Sequence, residues 1–135
     1  MYKLLAIDLD KTLLNDKHEI TKRNYDAIKN CKGKGIYIVL ASGREVETID
    51  RFSDILGIYD PIIACVGAII CGEKINGKRE ILYHQPLPLG IVDEVMEYTK
   101  SMGWCLTVHY PDKILALEQN KYTDIYHNQT GATFT

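Results

Sequence analysis

Apolar runs and amphipathic stretches alternate along the first half of the chain. Residues 3–9 are mostly apolar and turn acidic at their end, and residues 36–41 and 62–65 are again almost wholly apolar. Continuous runs of this length are typical of strands buried in a parallel sheet. The two stretches between them have apolar residues at helical spacing, and Thr21 is placed to cap the first helix. Strand, helix, strand, helix, strand with short loops predicts an open α/β sheet with right-handed crossovers.

The pattern changes after the third predicted strand. Residues 68–71 and 81–83 are apolar segments that flank the dipeptide Asn76-Gly77. Asn-Gly is a preferred two-residue turn between antiparallel strands. This region is therefore predicted to be a β-hairpin.

Two prolines, Pro86 and Pro88, follow the hairpin and block both a helix and a central strand. We place a domain boundary here, with residues 1–85 as an α/β core and residues 86–135 as a smaller α+β domain. The second part is predicted to hold a helix ending at Gly103, strands over 104–110 and 113–118, and a short helix before Gly131.

Composition places the chain among globular proteins rather than disordered or membrane-spanning ones. Residues of the set AVILMFWYC make up 46%, charged residues 25%, and the formal charge is −2. Residues 1–60 hold ten charges of each sign, so no basic half indicates a nucleic-acid surface. The longest apolar run is far below the roughly 20 residues that cross a bilayer. We expect a cytoplasmic protein with neither nucleic acid nor membrane as partner.

The four cysteines lack the spacing of a zinc site or a C-x-x-C pair. Each has apolar neighbours, as in the run Ile62-Ile63-Ala64-Cys65. We expect small core residues in a reducing compartment. The four histidines are scattered, and we expect surface or satisfied residues.

Candidate chemistry begins with Asp8 and Asp10 at the carboxyl end of the first predicted strand. Residues two apart on a strand point to the same side, and open α/β sheets bind ligands beyond the carboxyl ends of their strands. Two carboxylates placed together repel unless a cation compensates, and Mg²⁺ is the simplest oxygen-seeking candidate. Alternatively, the two aspartates merely end a strand in solvent.

Hydroxyl and amide groups add to this pair. Thr12 follows Asp10 by two residues, and Ser42-Gly43 follows the second strand. Hydroxyl and backbone N–H groups suit phosphoryl oxygens, so the combination favours phosphoryl transfer. Arg44, at the start of the second helix, fits a surface residue or a substrate contact equally well.

These residues resemble a known family. The stretch DLDKTLL at 8–14 resembles the first motif, DxDGT, of the haloacid dehalogenase superfamily, and ASGR at 41–44 resembles its second motif in the Cof-like sugar-phosphate phosphatase branch. VGA at 66–68 sits where that branch has Asn-Gly-Ala, and the similarity continues through residues 80–88. The resemblance implies half of a Rossmann-like parallel sheet with a β-hairpin, followed by part of an α+β cap domain.

The resemblance also implies a reaction and the residues that perform it. Asp8 would be the nucleophile that forms an aspartyl-phosphate, and Asp10 would be the general acid and then the base. The Asp8 carboxylate and the Asp10 main-chain carbonyl would hold Mg²⁺. The phosphate of a small phosphorylated metabolite would meet four residues: Thr12, Ser42, Gly43 and Arg44.

Two positions depart from the family pattern. Lys11 replaces a glycine, which tolerates positive φ without penalty, so Lys11 has either ordinary backbone angles or strain. Val66 replaces an asparagine, which removes one polar contact near the site.

The family's third motif, a lysine, and its fourth, an acidic GDxxND-like segment, would follow the cap. The chain ends at Thr135 and holds no Gly-Asp dipeptide. We therefore expect a fragment or truncated product with weakly held Mg²⁺ and little or no turnover. We also expect residues 4–7 to form an exposed apolar edge that promotes dimerisation, strand exchange or low solubility.

The sequence is also compatible with two other functional interpretations. A non-catalytic α/β remnant would keep the fold and weak phosphate affinity. A phospho-accepting signalling domain would carry its aspartate after the third strand, where this chain has Cys65-Val66-Gly67, so that reading is disfavoured.

Overall fold

The computed structural model describes residues 2–111 and 113–135. The chain divides into two compact units, the first ending at His84 and the second beginning at Gln85. None of the helices in these described ranges is both long and apolar enough to span a membrane.

A five-stranded sheet forms the first unit, with its strands in sequential order. The first three strands run parallel and the last two form an antiparallel hairpin. The strands are β1 (Leu4–Ile7), β2 (Tyr37–Ala41), β3 (Ile62–Ala64), β4 (Ile69–Ile75) and β5 (Lys78–His84). Helix α1 (Lys22–Gly33) joins β1 to β2, and α2 (Val46–Leu56) joins β2 to β3. The predicted α/β fold class is confirmed.

Local signals explain where the helices begin and end. The Thr21 hydroxyl accepts a hydrogen bond from the Asn24 amide at 3.2 Å, which caps α1 as predicted. Helix α2 ends at Gly57, whose φ of 58° is the left-handed conformation that glycine adopts readily. Between sheet and helices lies one apolar core: Ile28, Ile38, Leu40, Ile49, Leu56 and Ile62 are at most 3% exposed.

The chain turns sharply after β1. Strand β1 ends at Ile7, and residues Leu9–Leu13 form one wide π-type turn. Its hydrogen bonds join the Leu13 amide to the Asp8 carbonyl (3.2 Å) and the Leu14 amide to the Leu9 carbonyl (2.8 Å). The strand predicted over residues 3–9 is therefore too long. Asp10 lies in the turn, so strand alternation does not set the direction of its side chain.

Ion pairs fasten the hairpin to α2. The Arg79 guanidinium donates to the Asp50 carboxylate at 2.6 Å, and the Lys74 ammonium donates to Asp54 at 2.8 Å. The hairpin turn has positive φ at Asn76 (52°) and Gly77 (76°), which matches the I′ geometry favoured between twisted strands. The predicted hairpin is confirmed.

The second unit contains two helices and a two-stranded antiparallel sheet. Its elements are α3 (Leu89–Ser101), β6 (Thr107–His109), β7 (Ile114–Ala116) and α4 (Lys121–Thr130). Both strands are shorter than predicted. Helix α4 begins after a capping box between Asn120 and Thr123 and ends before Gly131, as predicted.

Candidate active site

Asp8 stands directly after β1 and meets Thr12 across the π-type turn. The Thr12 hydroxyl donates to Asp8 Oδ2 at 3.2 Å, and both residues are exposed. A carboxylate has about four lone-pair sites, so one hydrogen bond leaves capacity for a further ligand or for attack. The turn thus presents an oriented carboxylate at the carboxyl end of the sheet.

Asp10 forms a two-point ion pair with Arg44, which follows β2. Arg44 Nε donates to Asp10 Oδ2 at 2.8 Å, and Nη2 donates to Oδ1 at 2.6 Å. The Arg44 side chain is 6% exposed and that of Asp10 is 41% exposed. Of the two alternatives left open for Arg44, the surface residue is therefore excluded, because its guanidinium is buried against a carboxylate 34 positions earlier in the chain.

This ion pair shifts the acidity of Asp10. The Arg44 hydrogen bond is the main cause that lowers the pKa of the Asp10 carboxyl below its ordinary value; burial opposes the shift, and the charge of Arg44 and the contact with His18 reinforce it. Asp10 is accordingly an ionised group in the free protein near neutral pH.

His18 is a site residue that the sequence analysis missed. Its Nδ1 lies 3.2 Å from Asp10 Oδ1 and 3.4 Å from Arg44 Nη2. A compact loop presents it: the Asn15 side chain accepts from the Lys17 and Glu19 amides, at 2.9 Å each. One histidine in a polar loop carries no sequence signal for a contact with Asp10.

Ser42 and Gly43 occupy the loop after β2. The Ser42 hydroxyl accepts from the Arg44 amide at 3.3 Å, and the Ser42 amide donates to the Ile63 carbonyl at 2.9 Å. The Ser42 amide is therefore not available to a phosphoryl oxygen, whereas its hydroxyl retains a proton to donate. Gly43 is exposed.

The loop after β3 is tied to the loop after β2. The Cys65 amide donates to the Arg44 carbonyl at 2.9 Å, and the Val66 amide donates to the Ser42 carbonyl at 3.3 Å. Cys65 and Val66 both have positive φ, 50° and 56°. Valine is poorly suited to this region, whereas asparagine tolerates it, so the departure at Val66 places strain beside the site.

Backbone strain gathers in the loops around the site. Five non-glycine residues of the described chain have positive φ, and all except Asn76 in the hairpin turn lie in the loops after β1 and β3: Lys11, His18, Cys65 and Val66. Lys11, with φ 58°, therefore takes the strained of the two conformations expected from the sequence. Such clusters are typical of functional sites.

The donor set fits Mg²⁺ only in part. The exposed Asp8 carboxylate suits this cation, which needs one or two protein carboxylates and keeps several waters. Both oxygens of Asp10 are engaged by Arg44, so Asp10 could serve through its main-chain carbonyl. Within residues 2–111 and 113–135, no group of three or more His, Cys, Asp or Glu side chains is placed to hold a metal ion.

An open α/β sheet with two aspartates, a threonine and a serine at its carboxyl edge defines a candidate phosphoryl-transfer fold. Residues 5–134 match the family of haloacid dehalogenase-like hydrolases. The chain belongs to this family, and the resemblance seen in the sequence is confirmed.

Individual relatives agree with the family. "Putative phosphatase YxeH" of Bacillus subtilis is 37% identical over 115 residues, which cover 83% of this chain and 41% of YxeH. The 5-amino-6-(5-phospho-D-ribitylamino)uracil phosphatase YcsE of the same organism is 35% identical over 82 residues, 61% of this chain and 33% of that protein. A haloacid dehalogenase-like hydrolase from Bacteroides thetaiotaomicron superposes with a TM-score of 0.85 and 26% identity, covering 100% of this chain and 51% of the other. The chain spans about half the length of such proteins or less.

Proposed function

We propose that this site belongs to a Mg²⁺-dependent phosphatase of small phosphorylated metabolites, such as sugar phosphates. The observation that supports it most is the pairing of Asp8 with Thr12 beside a separate pairing of Asp10 with Arg44. In the first pair, the Asp8 carboxylate keeps lone pairs that can attack phosphorus. In the second, the Asp10 carboxylate is held in a separate position, where it can transfer a proton. The phosphatases among the relatives, YcsE included, support the same reaction class.

The reaction would take two steps. Asp8 attacks phosphorus, the bond from phosphorus to the ester oxygen breaks, and Asp10 gives a proton to the leaving alcohol. Water then attacks phosphorus, Asp10 accepts its proton, and the bond from phosphorus to the Asp8 oxygen breaks to release inorganic phosphate. Mg²⁺, held by the Asp8 carboxylate and the Asp10 carbonyl, would offset phosphoryl charge when bound.

The ion pair with Arg44 suits Asp10 to the second step, in which it must be ionised. In the first step it must carry a proton, which a lowered pKa disfavours. The negative charge of a bound phosphoryl group would raise the pKa of Asp10 again and restore the acid form. Bound substrate would thereby favour the protonated form of Asp10 that the first step requires.

The chain itself is expected to be a poor catalyst. The sequence holds no Gly-Asp dipeptide and so no segment that matches the family's acidic motif. Loss of one preorganised electrostatic donor lowers turnover about 10²–10³-fold. We propose that the purified chain turns over weakly or not at all.

The test is hydrolysis of p-nitrophenyl phosphate with Mg²⁺ or with EDTA. We expect slow, Mg²⁺-dependent release of p-nitrophenol that Asp8→Asn abolishes and that Asp16→Asn, an exposed loop control, leaves unchanged. Turnover that survives Asp8→Asn would contradict the assignment of Asp8 as the nucleophile. Turnover at the rate of an ordinary phosphatase would contradict the weak-activity proposal alone.

A non-catalytic phosphate-binding role is the second candidate. The Arg44 guanidinium is directed to Asp10, and a site that binds phosphate without turnover would use Thr12 and Ser42 hydroxyls instead. Saturable binding of inorganic phosphate, with no Asp8-dependent hydrolysis in long incubations, would favour this role.

A further inference from the structure

Both oxygens of the Asp10 carboxylate are held by Arg44 in parallel hydrogen bonds of 2.8 and 2.6 Å. Two-point pairing of this kind fixes orientation as well as charge, because the planar guanidinium matches a carboxylate edge. A lone cation in front of Asp10 would neutralise it without setting the plane of the carboxylate. The geometry thus controls where the remaining lone pairs of Asp10 point.

Arg44 is itself fixed on several sides. Its amide donates to the Ser42 hydroxyl at 3.3 Å, and its carbonyl accepts from the Cys65 amide at 2.9 Å. Its guanidinium carbon lies 5.6 Å from the centre of the Phe52 ring, within cation–π range. With 6% of its side chain exposed, Arg44 is built into the protein and is poorly placed to follow a substrate.

His18 makes a second contact with Asp10, from a more exposed position than Arg44. It reaches the same Oδ1 that Arg44 Nη2 contacts, at 3.2 Å. Its backbone is held at a φ of 57°, and the bridge between Leu14 and Ile20 closes the loop that carries it. A strained residue kept in contact with Asp10 indicates that the loop is shaped for this contact.

We propose that Arg44 is a positioning residue that acts through Asp10 and is not a ligand of the phosphoryl group. Arg44 and His18 together hold the Asp10 carboxylate, and we call this arrangement of three residues the clamp. Arg44 takes one lone pair on each oxygen and His18 a second on Oδ1, which leaves one side of Oδ2 for the reacting oxygen. This inference rests on the proposed function for its purpose, but the clamp can be tested without any activity.

The first experiment is a double-mutant cycle in urea with Arg44→Met, Asp10→Asn and the double variant. A clamp predicts strong non-additivity: the unfolding midpoint of the double variant lies no lower than that of the worse single variant. Arg44→Lys is expected to recover only part of the loss, since lysine is a point charge. The control is the exposed pair of Lys22 and Asp26, 88% and 49% exposed, where Lys22→Met and Asp26→Asn should be additive. Additive effects of Arg44→Met and Asp10→Asn would overturn the clamp.

The second experiment separates positioning from phosphoryl binding. Affinity for inorganic phosphate is measured by titration calorimetry for the same variants. Arg44→Met removes a positive charge and Asp10→Asn a negative one, so the single variants should shift the affinity in opposite directions. If Arg44 acts through Asp10 and does not bind phosphate, the double variant, which loses both charges together, should bind phosphate as the wild type does. A loss of tenfold or more in the double variant would overturn the proposal and make Arg44 a phosphate ligand.

Turnover adds a third readout. Arg44→Met should lower kcat at nearly constant KM, and added guanidinium chloride at millimolar concentration should restore part of kcat. A raised KM with unchanged kcat would contradict a positioning role. If the wild-type chain neither binds phosphate nor turns over, the proposed function fails, and the stability cycle still decides whether the clamp exists.

Discussion

Arg79 on β5 and Asp50 on α2 form a nearly buried ion pair, with Nε and Oδ1 2.6 Å apart. The same guanidinium donates to the Asp60 carbonyl at 2.8 Å and to the Gly72 carbonyl at 2.6 Å. One side chain therefore joins the hairpin, helix α2 and the loop before β3. That loop leads into β3, so the network holds the beginning of the strand whose other end carries the turn of Cys65 and Val66.

Removal of Arg79 should be costly. Arg79→Met leaves the Asp50 carboxylate and two carbonyls without their partner, and breaking one side of a buried pair costs about 3 kcal/mol or more. Lys74, 3.6 Å from Asp50, would offset only part of this loss. Urea unfolding measures the change. Lys78→Met, an exposed change on the same strand, should stay within about 0.5 kcal/mol of wild type; equal effects of the two substitutions would contradict the network.

Replacement of Val66 should stabilise the protein. Val66 is 89% exposed and has φ 56°, where a β-branched residue pays a strain of about 1–2 kcal/mol. Val66→Asn should therefore raise the free energy of unfolding by about 1 kcal/mol, because asparagine tolerates the left-handed region at little loss of buried surface.

The matched control is Ile75→Asn. Ile75 is another exposed β-branched residue, at 66%, but it lies in β4 without positive φ. Asparagine is unfavourable in a strand, so this substitution should be neutral or destabilising. Thermal unfolding of both variants checks the comparison. Stabilisation by Ile75→Asn as large as that by Val66→Asn would show that relief of strain is not the cause.

Local signals predicted the first unit well. The Thr21 cap, the Gly57 stop and the Asn76-Gly77 turn each depend on a few neighbouring residues, so short-range chemistry identifies them. Apolar periodicity likewise placed all five strands and both helices of that unit. The boundary errors, such as the early end of β1 at Ile7, arise where tertiary burial of Leu9 draws the chain into a turn.

Contacts between side chains far apart in the chain could not be predicted from the sequence. Asp10 and Thr12 were predictable from a motif, but the partner of Asp10 lies 34 residues away and its second contact comes from a loop histidine. No periodicity connects Arg44 to Asp10 or distinguishes a buried arginine from an exposed one. The sign of φ at Lys11 was equally open, because a lysine is compatible with either conformation.

Strand β1 should make the chain self-associate. It is the outermost strand in the sheet order, it is apolar, and Leu4 on it is 56% exposed. Edge strands without a charge or proline tend to pair with another chain. We expect oligomers that grow with protein concentration in sedimentation velocity, and Leu4→Lys should suppress them.

The control for this association is Leu87→Lys. Leu87 is 67% exposed and lies outside the five-stranded sheet, so it tests whether added charge alone improves solubility. If Leu87→Lys suppresses association as well as Leu4→Lys does, edge pairing is not the mechanism. A monomer at every concentration tested would rule out the edge as an association site.

The ion pair between Asp10 and Arg44 should make stability depend on pH in the acid range. The hydrogen bond from Arg44 is the main cause that holds the pKa of Asp10 below its ordinary value of 3.8. A carboxyl whose pKa is lower in the folded than in the unfolded state stabilises the fold fully above the unfolded value. That contribution is lost as the pH falls below about 4 and through the folded pKa.

Urea midpoints measured from pH 7 to pH 2.5 should thus show a gap between wild type and Asp10→Asn that is constant above about pH 5 and shrinks below it. In an Arg44→Met background the main cause is removed, so the same gap should change far less with pH. A gap in the wild-type background that widens on acidification would contradict the sign of the shift, and with it the view that Arg44 holds Asp10 ionised.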